Sequence, residues 1–113
     1  MSFSDPITVP DKLASELLAD DSEVYDLVQE FVEGLADRVA KLRQAYEQLN
    51  WDVLTTLAHQ LKGASGSYGY PDLSGLAAIM EDAFRVHSAD RFAIWVRQLE
   101  QLAAAARAGL QDG

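Results

Sequence analysis

Residues 51–69 read WDVLTTLAHQLKGASGSYG. Laid on a helix at 100° per residue, Leu54, Leu57, Ala58, Leu61, Ala64, Ser65 and Tyr68 fall on one side. His59 points the opposite way, towards solvent. Around it lie Asp52, Thr55, Thr56, Lys62, Gly63 and Gly66. Two glycines therefore flank an exposed histidine inside a helix, each costing about 1 kcal/mol relative to alanine. A face trimmed to backbone beside one imidazole makes sense where another surface must approach closely. Lys62, one turn on, brings a mobile positive charge to the same space. Histidine, lysine and bare backbone suit a phosphoryl group better than a metal ion. A metal would need further ligands, and the only other histidine is His87.

The same periodicity extends to both sides of this segment. Residues 22–49 form one long expected helix, with Val24, Leu27, Val28, Phe31, Leu35, Val39, Leu42, Tyr46 and Leu49 inward and Asn50 breaking it. Gly69-Tyr70-Pro71 stops the histidine helix, because glycine suits the C′ position and the residue before proline avoids helix. A further helix is expected over residues 72–86, with Leu73, Leu76, Met80 and Phe84 inward. The last runs to Leu110, with Phe92, Trp95, Val96, Leu99, Leu102, Ala103 and Ala106 inward. At the N-terminus, residues 1–10 read as extended, with Ile7 and Val9 free to touch the body. A short helix is expected over 11–18. Short connections make consecutive helices antiparallel. The expected fold is all-α: an antiparallel up-down-up-down four-helix bundle with an extra short N-terminal helix. One domain is expected overall, with residues 1–21 as an N-terminal extension and 22–113 as the bundle.

Composition narrows the function. With 113 residues, no cysteine and 49% hydrophobic content, the chain suits one small core without disulfides or thiolate metal sites. No apolar run exceeds five residues, as at 102–106, too short to span a membrane, and no signal peptide is visible at Met1. A cytoplasmic protein is expected. The net charge of −9 argues against nucleic acid, which needs cations to replace phosphate counterions. Nine of the 18 acids lie in residues 1–33 against one base, Lys12. The remainder is nearly neutral and free to present a local basic spot. The acidic third reads as a solvated face. Trp51, Trp95 and Tyr68 read as core, and Tyr70 as either core or partner surface. His87 reads as a turn or helix-end residue.

Residues 58–69 resemble the signature of the histidine-containing phosphotransfer (HPt) domain, of form H-x-[LI]-K-G-[AS]-[SA]-x-x-[aromatic or aliphatic]-G, matched from His59 to Gly69. The resemblance covers roughly residues 22–110 and implies a four-helix bundle. It implies a phosphorelay intermediate that accepts a phosphoryl group on His59 from a receiver-domain aspartate, or from a kinase, and passes it to another receiver. Lys62 and Gly63 match the family's lysine and glycine. Gln60 stands where the family often has a polar residue, and Gly69 is the structural helix stop. Gly66, Thr55 and Thr56 share the exposed face and are expected at the receiver-docking surface.

The expected chemistry is attack of a neutral imidazole on phosphorus through Nε2, the outer nitrogen, with Lys62 stabilising charge on the transferred oxygens. Mg²⁺ is expected in the receiver, and no cofactor or metal in this chain. No P-loop or ATP lid is visible, so the chain is expected to carry phosphate without making it from ATP. The expected partners are receiver domains of response regulators or a hybrid histidine kinase, met by a monomer. The competing reading is a non-catalytic helical adaptor with the same fold, in which His59 is incidental. The start at Met1 points to a free-standing protein, with a module of a hybrid kinase as the competing expectation.

Overall fold

The structure is a computed structural model that describes residues 13–16 and 22–112. Five helical elements follow in order: α1 (Ser22–Glu33), α2 (Leu35–Glu47), α3 (Trp51–Ser67), α4 (Pro71–Arg85) and α5 (Phe92–Asp112). They form the all-α antiparallel bundle. α3 and α4 make the most intimate hairpin, α2 packs on α3, α4 on α5, and α1 and α2 both lie against α5.

The expected single helix over 22–49 is interrupted at Gly34. The backbone there stays right-handed (φ −81°, ψ −6°). Its N–H is shared between the carbonyls of Glu30 and Phe31, each at 3.1 Å. Glycine holds a helix poorly, so the ladder loosens there while the chain keeps its course. Val32, which the periodicity passed over, is fully buried, whereas Leu27 is 52% exposed.

Three helices end in the same way. At the ends of α2, α3 and α4 the N–H of the second residue past the cap reaches back across the turn. Asn50 donates to Ala45 O, Tyr70 to Ser65 O and Ser88 to Ala83 O. Leu49, Gly69 and His87 bond within those turns and carry positive φ of 48°, 82° and 56°. This is the Schellman arrangement, in which an αL residue satisfies the last carbonyls. Only the stop after α3 uses glycine, as expected from Gly69. Leu49, expected inward as part of a helix, instead sits in the turn at 58% exposure. Asn50 caps α3 by accepting from Val53 N at 3.2 Å.

The core is one cluster. Phe84 meets Trp95 edge-on at 5.8 Å, and Phe92 stacks on Tyr46 at 4.0 Å. Tyr70 is fully buried, which settles it as core rather than partner surface and raises its hydroxyl pKa, with a smaller contribution from Tyr25. Trp51 is only half buried and carries the His87 ring stacked on it at 5.0 Å.

The short helix expected over 11–18 is not formed at residues 13–15, and Glu16 lies in a turn. Here the backbone bonds go elsewhere: Leu13 N–H to Ala105 O at 2.9 Å and Glu16 N–H to Gly69 O at 2.7 Å. The remainder of that expected helix, and the extended segment 1–10 with Ile7 and Val9, lie outside the described residues.

Candidate functional site

α3 buries Leu54, Ala58, Leu61 and Ser65 and turns its other side to solvent. Thr56, His59, Gln60, Gly63 and Gly66 are exposed on that side, as the periodicity required. The His59 side chain is 64% exposed. A β-carbon at Gly63 would meet nothing within 4 Å, and one at Gly66 would touch only Ser74 Oγ, at 3.5 Å. These glycines therefore fill no packing need inside the domain. Thr55 is half buried and donates its hydroxyl to Trp51 O at 2.8 Å, so it faces the surface less freely than expected.

The decisive neighbour comes from α4. Glu81 has a side chain only 2% exposed, yet it accepts three contacts. His59 Nδ1 lies 2.9 Å from Oε2, Arg85 2.7 Å from the same oxygen, and Lys62 Nζ 2.7 Å from Oε1. A buried carboxylate survives only when paired and hydrogen-bonded. The Lys62 hydrogen bond is the largest influence. Despite the opposing effect of burial, and with help from His59 and Arg85, the Glu81 carboxyl is lowered to about 2. It is therefore ionised at neutral pH.

An ionised carboxylate only accepts hydrogen bonds, so Nδ1 of His59 must donate. In the neutral ring this puts the lone pair on Nε2, on the exposed side. The carboxylate also orients the imidazole. Lys62 is not the loose cation that the sequence suggested: its side chain is 37% exposed and its ammonium is seated on Glu81. Ser74 fastens the two helices nearby by donating its hydroxyl to Lys62 O at 3.0 Å.

Glu81, Arg85 and Ser74 escaped the sequence reading. The i, i+4 spacing of Glu81 and Arg85 was visible, and so was an acid on the edge of an apolar stripe. Their meeting with His59, 22 positions away, was not. Beside the histidine, towards the start of α3, lies an open recess of about 370 Å³ lined by Trp51, Asp52, Thr55, Thr56, Arg85 and His87 among others. His87 is part of that wall and of the α4 stop.

Among the described residues no helix is long and apolar enough to cross a membrane. Comparison with the curated proteins and with the solved structures gives no match. The family model of the Hpt domain matches residues 26–109, which takes in α2, α3 and α4 entire, most of α1 and α5, and the whole of the His59 cluster. A bundle of antiparallel helices bearing an exposed, carboxylate-held histidine on its third segment thus belongs to the Hpt domain family, whose members are phosphocarriers of two-component systems.

Proposed function

We propose that this chain is a phosphorelay intermediate that carries a phosphoryl group on His59 Nε2. The observation that carries the reading is the contact between exposed His59 and buried, ionised Glu81. The Nε2 lone pair attacks phosphorus of an aspartyl phosphate on a receiver domain. The bond from phosphorus to the aspartyl oxygen breaks, and its electron pair leaves with the carboxylate. Nε2 has no proton to lose, so the ring gains a positive charge, and Nδ1 keeps its proton against Glu81. That carboxylate stabilises the charged ring in the transition state. A ring still protonated at Nδ1 is also a good leaving group, which suits onward transfer to another receiver.

Lys62 holds Glu81 ionised and stands one turn from the imidazole, where its ammonium can turn to the phosphoryl oxygens. Gly63 and Gly66 leave bare backbone for the partner, with Gln60 and Thr56 at its margin and Thr55 in the adjoining recess. Mg²⁺ belongs to the receiver's aspartates in this scheme. Receiver domains, or a hybrid kinase that supplies one, are the partners, and the chain acts as carrier without ATP chemistry. An adaptor that used only its surface would have no use for a buried carboxylate fixing the tautomer of an exposed histidine.

Incubation with a phosphorylated receiver and Mg²⁺ should label the protein through an acid-labile, base-stable bond, and His59→Gln should abolish it. Label that persists in His59→Gln, or that moves to His87, overturns the proposal.

A further inference from the structure

Residues 13–16 lie outside the stretch matched by the family model, yet they are tied to the bundle at three places. Leu13 N–H donates to Ala105 O at 2.9 Å, on α5. Ser15 is buried and donates its hydroxyl to Tyr68 O. Glu16 N–H donates to Gly69 O at 2.7 Å. The segment thus bridges α5 and the turn that ends α3.

Its seat on α5 is specific. A β-carbon at Gly109 would run into the Leu13 carbonyl, only 3.0 Å from the carbonyl carbon. Gly109 lies within α5, where alanine would be the better helix former. Glycine at this position is explained by the close passage of Leu13. The Leu13 side chain itself packs against the core.

The other end of the segment holds Tyr68. That ring stacks on Phe31 at 5.0 Å and edges a recess of about 200 Å³ with Leu27, Glu30, Gly34 and Arg38. Tyr68 follows His59 by about 13 Å along the helix axis. A partner burying about 800 Å² around His59 would reach about 16 Å from it, and so would cover the exposed side of this end of α3, at Gly66 and Ser67. We propose that residues 13–16 are a strap that positions the partner-docking end of α3 by pinning the Tyr68–Gly69 carbonyls to α5. This rests on the phosphotransfer reading for the partner, but the strap itself is read out separately.

The sign of one substitution tests the strap. By helix propensity alone, Gly109→Ala should stabilise the full-length chain. With the strap seated, it should lower the melting temperature by roughly 4 °C or more. Hydrogen exchange at the Leu13 and Glu16 amides should quicken, and KM for a phosphorylated receiver should rise while the rate at saturation stays unchanged. Ser15→Ala leaves α5 untouched. It should quicken Glu16 exchange by at least about 2-fold, the worth of the lost bond to Tyr68 O, and shift KM in the same direction. A higher melting temperature for Gly109→Ala with unchanged exchange overturns the strap. Faster exchange in both variants with unchanged KM overturns its role in docking. If the wild type takes no phosphoryl group, the phosphotransfer reading fails, and with it the docking role, while exchange and melting still decide whether the strap exists.

Discussion

At the residue scale, the chemistry of this protein turns on one carboxylate. Glu81 orders the imidazole and binds Arg85 through Oε2 and seats Lys62 through Oε1. Glu81→Gln keeps the shape but removes the negative charge beside Nδ1 of His59. Transfer should slow by on the order of tenfold, less than the loss of a donor in a dry site because His59 is open to water. The same carboxyl makes stability depend on pH. Its folded value is lowered to about 2 from an ordinary 4.5. The stabilisation is complete above about 4.5 and is lost as pH falls towards 2. Thermal melts between pH 7 and 2 should show the wild type losing its advantage over Glu81→Gln across that window. An advantage that stays constant to pH 2 would contradict it. Lys62→Ala should slow transfer by about tenfold. It should also raise the Glu81 carboxyl towards its ordinary value, as read by carbon-detected NMR titration. A Glu81 titration left in place would show that Lys62 does not hold it.

At the element scale, α3 balances intrinsic helix propensity against access. Gly63 faces open space, so Gly63→Gln meets no clash and gains about 1 kcal/mol of helix propensity. The variant should melt higher and transfer more slowly, because the new side chain stands where a receiver must approach. A variant that melts higher and transfers at the wild-type rate would remove the access argument. Gly69 works in the opposite sense. Its φ of 82° places it in the left-handed region, so Gly69→Ala should cost about 1–2 kcal/mol, measurable by denaturant unfolding. Leu49 and His87 occupy the matching turns without being glycine. This is why the ends of α2 and α4 were less legible than the end of α3.

At the scale of the whole molecule, one core serves both stability and the site. Phe84 is fully buried between Phe92 and Trp95, three residues beyond Glu81 on the same helix. Phe84→Ala should cost about 3–5 kcal/mol and loosen α4 against α5, measurable by chemical denaturation. The sequence alone determined the helical class, the antiparallel order, the stop at Gly69 and the exposed face of α3. Each of these follows from local rules: apolar residues spaced at 3.6, short connections, and the backbone freedom of glycine. Tertiary structure alone decided that Tyr70 is buried, that residues 13–15 are not helical, and that Lys62 is seated rather than loose. It also brought Glu81 to His59. These depend on contacts between positions far apart in the chain, where the partner of a backbone amide or a buried charge is set by packing. No local periodicity records which acid on one helix will face which histidine on another.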